Sequence, residues 1–358
     1  MIAVGAMTAL LLAVMPGESP TIVTVAGTGM AGYRGDGGPA TKAVLDGPFD
    51  VALDKKGNLF FSDTGNHCIR RIDAKSHIIS TIAGCGKKGF SGDGGRAIRA
   101  ELNEPYGLQL DDKGNVYFVD RLNFRVRMVE AQSQVIRTIA GSGHQGFSGD
   151  GGPAIKAEFR EPNGLALDHK GKLYIADVAD QRIRVVDLTN GVISTACGTG
   201  KKAHTGDGGP YTEASLLGPR AVAIAPDGSL FVCEREGNSI HRIDFRIGKI
   251  ERFAGTGKKG YSGDGGPALQ ATLNGPKELE VDSAGNIFVV DTENNAIRRI
   301  DAKSRIITTV AGSGAKGGSG DDGPALKAQL NRPHGVCIDS DGAIYIGDTL
   351  NNRIRKVK

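Results

Sequence analysis

The chain has 358 residues, and its 44 Lys and Arg nearly balance its 40 Asp and Glu, which gives a formal net charge of +4. Because proteins that bind nucleic acid usually show a concentrated basic surface, this balance gives no support to such a partner. Trp is absent and aromatic residues make up 5% of the chain, which argues against stacking platforms for sugars and against an aromatic cage.

The chain begins with an apolar segment. Residues 1–15 carry no charged side chain and have a run of Leu and Ala at their centre. This segment is shorter than the roughly 20 residues of a membrane span and is typical of the apolar part of a secretory signal. We interpret residues 1–16 as a secretion signal, with an apolar leader packed on the folded domain as the alternative, and residues 17–358 as one domain. The protein is then expected to be exported to the periplasm, the cell surface or the medium.

A glycine pattern raises the question of a cofactor. A G-x-G-x-x-G spacing begins at Gly255, as in a dinucleotide-binding turn, but it also begins at Gly27, Gly84, Gly141 and Gly312. No enzyme needs so many pyrophosphate sites, and a true fingerprint leads directly into a long helix. We therefore interpret these glycines as part of an internal repeat and expect no nucleotide cofactor.

The repeat is 57 residues long and occurs six times. Its clearest mark is the tetrad Gly-Asp-Gly-Gly, which reads Gly-Asp-Asp-Gly in the sixth unit; its first aspartates are Asp36, Asp93, Asp150, Asp207, Asp264 and Asp321. Each unit reads as four short strands; in the first unit, runs rich in Ile, Val and Phe lie at 49–54, 58–62, 67–72 and 77–83. Such period-two runs separated by Gly, Asn and Asp are typical of β-strands. The stretch after the tetrad, as in Pro267-Ala-Leu, offers Pro at a first helical position and predicts one or two helical turns.

The two ends of the chain complement each other. Residues 21–26 have the pattern of a fourth strand with no first three before it, and residues 352–358 that of a third strand with no fourth after it. Four-stranded units of this size must stack to bury their faces, and pairing the two ends would hide two open sheet edges. We predict an all-β, six-bladed β-propeller of four-stranded blades, whose last blade is closed by the N-terminal strand.

The repeated string also resembles a known family. The pattern Pro-x-Gly, apolar strand and Asp-x-x-Asn-x-Arg-Ile-Arg, seen from Pro333 to Arg355, is similar to the NHL repeat. The SGDGGPA insert is similar to that of bacterial extracellular NHL proteins and of the NHL region of teneurins. The resemblance implies a six-bladed propeller that is commonly a binding platform. It does not imply one activity, because lyases, lactonase-like relatives, sensor domains and RNA-binding modules share this architecture.

Residues that the repeats share are expected to serve folding. The tetrad aspartates should hold their loops, by accepting backbone N–H bonds or by capping the short helix, with a calcium ion as the alternative. Asp63 and its counterparts should fold the turn between the second and third strands, and Arg70 and its counterparts should brace strands or loops. The five cysteines share no repeat position, which predicts neither disulfides nor a metal site. We expect no metal ligand set.

Function is expected where equivalent positions differ. The residue after a shared proline opens the innermost strand of each unit, and these six residues should form a ring at one mouth of the central channel. At the position after each ring residue, most repeats have a small residue, but two repeats have an acid, Asp50 and Glu278. At the position after the shared acid that ends the second strand, two repeats have an arginine, Arg121 and Arg235. The predicted binding residues are Phe49, Tyr106, Asn163, Arg220, Lys277 and His334 in the ring, with Asp50, Glu278, Arg121 and Arg235 beside it.

Repeat four departs most from the others. It has Glu234 in place of Asp, His241 in place of Arg, and His204 in place of an aromatic residue. With Arg220, Arg235 and Lys277, this sector would favour an anionic ligand or an acidic partner surface. Drift in one repeat is the alternative.

The sequence favours a binding role over an enzyme. We expect an exported, monomeric, non-enzymatic scaffold without a transmembrane span, which holds a protein, peptide or glycan at the channel mouth; nucleic acid is disfavoured by export. The alternative is a lyase or a metal-dependent lactonase-type hydrolase at the same mouth. Of the seven His, His334 alone lies in the ring, and no Ser or Cys is placed for activation by a His and a carboxylate.

Overall fold

The structure, a computed structural model, describes residues 19–358. The predicted leader therefore lies outside the described residues. Within residues 19–358, the strands form six antiparallel sheets around a central channel, so the predicted six-bladed β-propeller is confirmed. In this part of the chain, no helix is long and apolar enough to cross a bilayer.

Each blade has four strands, numbered here from the channel outward. Blade 1 contains β2 (Pro48–Leu53), β3 (Leu59–Asp63), β4 (Cys68–Ile72) and β5 (Ile79–Ala83); blade 2 contains β6 (Pro105–Leu110), β7 (Val116–Asp120), β8 (Arg125–Val129) and β9 (Ile136–Ala140); blade 3 contains β10 (Pro162–Leu167), β11 (Lys172–Asp177), β12 (Arg182–Asp187) and β13 (Val192–Cys197). Blade 4 contains β14 (Pro219–Ile224), β15 (Leu230–Glu234), β16 (Ser239–Asp244) and β17 (Lys249–Ala254); blade 5 contains β18 (Glu278–Val281), β19 (Ile287–Asp291), β20 (Ala296–Ile300) and β21 (Ile307–Ala311); blade 6 contains β23 (Gly335–Ile338), β24 (Ile344–Asp348), β25 (Arg353–Val357) and β1 (Thr21–Ala26), beside which lies the two-residue β22 (Gly323–Pro324).

The N-terminal strand closes the ring as predicted. β1 pairs antiparallel with β25, with Ile22 opposite Val357 and Thr24 opposite Arg355. Ile22 is fully buried and packs in a cluster with Phe288, Val336 and other apolar residues of blades 5 and 6. The core is built in the same way all around the molecule, from apolar clusters that lie between neighbouring blades.

The helical segments are single turns of 3₁₀ helix. Five follow the tetrads: Ala40–Lys42, Ala97–Arg99, Ala154–Lys156, Ala268–Gln270 and Ala325–Lys327. Four lie between the second and third strands of a blade: Thr64–Asn66, Arg121–Asn123, Thr292–Asn294 and Thr349–Asn351. The helical turn predicted after the tetrad is therefore present in five repeats. In each of these turns, the N-cap residue, such as Pro39, makes no side-chain hydrogen bond to the backbone of the turn.

The repeated glycines are explained by close packing of backbone. Gly255 has a φ of +85°, and a Cβ atom there would overlap the carbonyl oxygen of Asn238. Its counterpart Gly84 has a φ of +88° and approaches the carbonyl of His67 in the same way. Each such glycine begins a loop that crosses the end of the preceding blade, which accounts for the spacing without a cofactor.

The innermost strands come very close to one another at the start of the channel. A Cβ atom on Gly335 would overlap the carbonyl oxygen of Phe49 in the next blade, and one on Gly107 would overlap that of Asn163. The channel is therefore narrow at this level, which decides how the side chains above it pack.

Candidate functional site

The predicted mouth residues lie together on one face. Pro48 is in register with Asp63, so the start of β2 and the turn after β3 lie at the same end of blade 1. The Thr64 hydroxyl donates a hydrogen bond to the Pro105 carbonyl, 2.7 Å away, at the start of the next innermost strand. We call this end of the propeller the channel-mouth face.

The six ring residues meet at the centre of this face. We call them the mouth ring: Phe49, Tyr106, Asn163, Arg220, Lys277 and His334. The Phe49 ring stacks on Tyr106, with 4.0 Å between centroids, and lies 4.3 Å from the His334 ring. The Arg220 guanidinium lies over both Phe49 and Tyr106, at 5.4 and 5.3 Å from their centroids. Such stacking and cation–π contacts stabilise a closed centre.

Polar contacts complete the ring. Arg220 donates from Nη1 to Oδ1 of Asn163. Lys277 Nζ lies 3.3 Å from Nε2 of His334 and 2.9 Å from a carboxylate oxygen of Glu293. Five ring members are buried, with at most 7% of their surface exposed, and Tyr106 is partly buried. Side chains from all six blades therefore fill the mouth.

Burial controls the charge of the ring. It lowers the pKa of Lys277 to about 8, although the Glu293 carboxylate opposes this shift. It lowers the pKa of His334 well below its usual value, and the neighbouring Lys277 adds to the effect. His334 is therefore neutral at pH 7, and its Nδ1 lies 3.0 Å from the Thr349 hydroxyl.

Half-exposed ion pairs surround the closed ring. Arg121 contacts Glu104 at 2.6 Å and Glu161 at 3.5 Å, and its guanidinium lies 4.7 Å from the centre of the Tyr106 ring. Arg235 lies 3.1 Å from the carboxylate of its neighbour Glu236. Both predicted arginines thus lie on the rim of the channel-mouth face and are partly exposed.

Asp50 and Glu278 lie inside the channel, beneath the ring. Asp50 accepts a hydrogen bond from the backbone N–H of Leu108 at 2.8 Å, across the boundary between two blades. Burial raises the pKa of Asp50 to about 7. Burial raises the pKa of Glu278 well above its usual value, and the Asp50 carboxylate raises it further. The two acids therefore belong to the channel interior rather than to the exposed rim.

A cleft opens at the opposite end of the channel. It has a volume of about 850 Å³ and runs from the channel into the groove between blades 3 and 4. Glu280 lies at its inner end, and burial raises the pKa of this carboxyl to about 8. Tyr174, Tyr211 and Phe245 line the groove; the Phe245 centroid lies 5.7 Å from that of Tyr174 and 5.4 Å from that of Tyr211.

The shared aspartates and arginines form a structural network. In blade 1, Asp36 accepts from Nη2 of Arg70 at 2.7 Å and from the backbone N–H of Thr81 at 3.1 Å. Asp63 accepts from the backbone N–H of Asp46 and from the side chain of Asn66, which folds the turn as expected. The tetrad aspartate thus holds its loop through backbone and guanidinium bonds, and the alternative of a helix cap is wrong because Pro39 occupies that position.

The cysteines also behave as expected. All five are free, and four of them are buried. They act as small core residues.

Comparison with known proteins places the chain in a family. The model of the teneurin NHL domain matches residues 85–148, 143–203 and 248–319, which together make up more than half of the chain, and that of the NHL repeat matches residues 330–357. The chain belongs to the NHL-repeat family. The resemblance inferred from the repeated string is therefore confirmed.

The curated relatives of this NHL propeller are longer proteins with different names. The chloroplastic protein Suppressor of quenching 1 of Arabidopsis thaliana is 28% identical over 322 residues, which are 87% of this chain and 30% of that protein. The chain spans less than half of the length of the curated relatives it matches.

Two solved structures show the same fold. An auxiliary nutrient binding protein of Bacteroides thetaiotaomicron has a TM-score of 0.67 at 18% identity, covering 94% of this chain and 76% of that one. A catalytically inactive virginiamycin B lyase of Staphylococcus aureus, with quinupristin, has a TM-score of 0.51 at 17% identity, covering 87% and 80%. At these identities the likeness establishes the fold alone.

Sequence reasoning missed two features of this NHL propeller. Glu280 lies two residues beyond Glu278 on the same side of its strand, where the other repeats have Ala, Gln or Cys. Comparing the repeats one channel-facing position further would have revealed it. Tyr211 and Phe245 are likewise specific to repeat four, since the other repeats have Ala or Leu at those positions.

Proposed function

We propose that this NHL propeller is an exported, non-enzymatic binding protein that holds a protein, peptide or glycan on its channel-mouth face. The closed mouth ring is the observation that carries the proposal. Small-molecule sites are concave, with volumes of roughly 300 to 1,000 Å³. A mouth filled by buried side chains offers a surface rather than a pocket, and a surface of this kind suits a large partner.

The residue types on this face support the same proposal. Interface hot spots are enriched in Tyr and Arg and lie near the centre of the contact, surrounded by less important residues. The partly buried Tyr106 lies at the centre of the face, with Arg121 stacked on it and Arg235 on the rim. The ion pairs of these arginines with glutamates keep them extended, so that less side-chain entropy is lost when a partner binds.

Export is part of the proposal. The apolar residues 1–15 have the pattern of a secretory signal. Mass spectrometry of the N-terminus of the protein purified from its own cells tests this: loss of residues 1–16 is expected, and an intact N-terminus in a cytoplasmic fraction would contradict it.

Binding is tested with two matched double variants. R121A/R235A removes two rim arginines, and R71A/R299A removes two arginines of similar exposure from the outer parts of the blades; the side chains are 20% and 32% exposed in the first pair and 31% and 33% in the second. Immobilised wild-type protein and both variants are exposed to culture supernatant and envelope extract, and the captured molecules are quantified.

The expected result is selective loss of capture. A hot-spot truncation costs about 2 kcal/mol, which weakens affinity roughly 30-fold, so the rim variant should lose a set of molecules that the wild type and the outer variant retain. Equal capture by all three proteins would remove the case for the channel-mouth face.

The cleft at the other end favours a second candidate function. Its volume of about 850 Å³ and its aromatic side chains, of which Tyr211 and Phe245 are specific to repeat four, suit a small ligand with apolar and polar parts. The F245A variant should then weaken uptake of small molecules from the same extracts while leaving capture of macromolecules unchanged.

The enzyme alternative is tested on the same preparation. A lyase or metal-dependent lactonase at the mouth would turn over a panel of lactones or peptide amides, and H334A would abolish that turnover. The closed ring disfavours this alternative because it leaves no room for a substrate beside His334.

A further inference from the structure

Five blades contain a buried arginine beside the tetrad aspartate, and in four of them it lies between two carboxylates. The guanidinium is fully buried and lies 2.6 to 2.8 Å from the tetrad aspartate of its loop. In four of these blades it also lies 3.3 to 3.5 Å from the buried acid that ends the second strand. The five arginines are Arg70, Arg127, Arg184, Arg298 and Arg355. One cation thus neutralises two acids and ties the loop to the blade.

Blade 4 keeps both acids but lacks this buried guanidinium; its Arg252, on the fourth strand, approaches Asp207 only at 4.0 Å and is partly exposed. The tetrad aspartate is Asp207 and the strand-end acid is Glu234, which is fully buried. The position of the arginine is taken by His241, whose shorter side chain is 2% exposed. Neither ring nitrogen of His241 has a hydrogen-bond partner among residues 19–358. Glu234 accepts hydrogen bonds but has no buried guanidinium beside it, and a buried carboxylate without an opposite charge is costly, as are the unpartnered nitrogens of His241. The arrangement therefore calls for a cation at this place.

A second histidine completes the cluster. His204 lies at the surface end of a small cleft. In most other repeats, the residue at this position is aromatic, and its ring packs against the arginine. Nδ1 of His204 lies 3.0 Å from Oε2 of Glu234, and Nδ1 of His241 lies 3.7 Å from the same oxygen. One ligand atom from each of the three residues lies within 4.8 Å of the others. Asp207 lines the same cleft.

We propose that His204, Glu234 and His241 bind a divalent transition-metal ion of the zinc class. Two imidazoles and a carboxylate are a common ligand set for Zn²⁺, which takes four ligands in a tetrahedron, and Asp207 or water provides the fourth. Ligand distances of about 2.0 to 2.2 Å place neighbouring ligand atoms roughly 3.3 to 3.5 Å apart, so the observed 3.0 and 3.7 Å need only small adjustments.

The surroundings are suited to hold these ligands. Oε1 of Glu234 accepts from the backbone N–H of Leu217 at 2.9 Å, and Oε2 accepts from the Ser239 hydroxyl at 3.2 Å, which fixes the carboxylate. Neither ring nitrogen of the buried His241 is engaged by another residue among residues 19–358, so the ring can turn a nitrogen toward a metal ion without breaking a hydrogen bond. The ion would replace the missing guanidinium and tie the loop that carries His204 to blade 4.

The rival explanation is a proton. The Glu234 carboxylate raises the pKa of His204. A protonated His204 could therefore supply the positive charge without a metal, and the experiment must separate the two.

Zinc binding by the full chain tests the proposal. Chelator-treated wild-type protein is titrated with ZnCl₂ by calorimetry, and its metal content is measured after removal of free zinc. H204Y/H241R gives blade 4 the residues that blade 5 has at Tyr261 and Arg298, and H204A removes one ligand at the surface. H144A, which removes an exposed loop histidine, is the control.

One equivalent of zinc is expected in the wild type and in H144A. H204A should bind at least about tenfold more weakly, and H204Y/H241R should bind none while remaining folded by circular dichroism. Zinc should raise the unfolding midpoint of the wild type but not that of H204Y/H241R. Co²⁺ should give the visible absorption of a tetrahedral site. Uptake below one equivalent in the wild type, or equal uptake by H204Y/H241R, would overturn the proposal and leave the protonated histidine.

Discussion

Replacing Arg298 by methionine tests the idea that one buried guanidinium holds each blade to its loop. Nη2 of Arg298 donates to the Ser262 carbonyl at 3.0 Å and to Asp264 at 2.8 Å, and Nη1 donates to the Thr272 carbonyl at 3.2 Å and contacts Asp291 at 3.5 Å. Methionine keeps much of the packing volume but none of these donors.

The expected loss of stability is large because Asp291 has no access to water. The side chain of Asp291 is 0% exposed, whereas that of Asp264 is 47% exposed and can be hydrated once the arginine is gone. Removing one partner of a buried ion pair costs about 3 to 5 kcal/mol. We expect R298M to lower the free energy of unfolding by that amount.

The neighbouring Arg299 provides a matched control. It lies on the same strand and forms an ion pair with Asp301 at 2.9 Å, but its side chain is 33% exposed. A surface pair of this kind contributes about 0 to 1 kcal/mol. Urea unfolding of the wild type, R298M and R299M therefore separates burial from the mere presence of an ion pair. A difference between the two variants of less than about 1 kcal/mol would refute the reasoning.

The loss should also depend on pH. Burial raises the pKa of Asp291 to about 6, above the unfolded value near 3.8. The protonated form of such a group favours the folded state, so its contribution to stability is full below pH 3.8 and disappears as the pH rises through 6. Without the arginine, the ionised carboxylate is less favourable still, and R298M should cost more at pH 8 than at pH 4.

Three further predictions concern the channel, the closure and the glycines. Burial raises the pKa of Glu280 from 4.5 to about 8, so E280Q should be more stable than the wild type at pH 9, by up to about 5 kcal/mol. This gain should vanish as the pH falls to 4, and an equal gain at both pH values in a series of unfolding curves would contradict the reasoning. I22A should lower the free energy of unfolding by about 2 to 5 kcal/mol, because Ile22 is fully buried in the closing strand. T24A, at a more exposed position of the same strand, should lower it by less than about 1 kcal/mol, and similar losses in the two variants would argue against closure by packing. G255A should lower the free energy of unfolding by about 1 to 3 kcal/mol more than G265A does. Both glycines have positive φ, but only Gly255 lies against the backbone of another segment. Equal losses would show that φ alone matters.

The sequence was sufficient for the fold because each signal was repeated six times. A single run such as residues 21–26 is weak evidence for a strand, but its match to the fourth strand of every unit predicted both its pairing partner and the closure of the ring. The structure bears this out, with Ile22 opposite Val357.

The site was harder to predict because it depends on the width of the channel. The repeat register correctly brought Phe49, Tyr106 and His334 to one face, but it could not show whether they line an opening or fill it. The near contact of Gly335 with the Phe49 carbonyl makes the channel narrow. At that width, large side chains from six blades must stack on one another, and the ring closes.

Repeat four shows what a comparison of repeats can and cannot detect. It identified His204, Glu234 and His241 as departures, but these residues are 30 and 7 positions apart in the chain, and only the fold brings their ligand atoms together. The sequence interpretation, an anionic ligand near Arg220 or simple drift, therefore looked for added positive charge. The cluster instead shows a buried acid, Glu234, and an exposed acid, Asp207, without the guanidinium that joins their counterparts in other blades.

Drift alone is a poor account of that cluster, and blade 6 shows why. There the aromatic position has become Gly318, yet Arg355 remains at 2.8 Å from Asp321 and 3.4 Å from Asp348, so the neutralising cation is preserved. Loss of the arginine alone would leave a buried acid unpaired, at a cost of about 3 to 5 kcal/mol. Blade 4 has lost the arginine and gained two imidazoles against the same carboxylate. A change that removes a cation and adds two imidazoles at one point is what replacement of the guanidinium by another positive charge requires, and relaxed constraint on the repeat does not account for it. The zinc titration decides whether that charge is the proposed metal ion or a protonated His204.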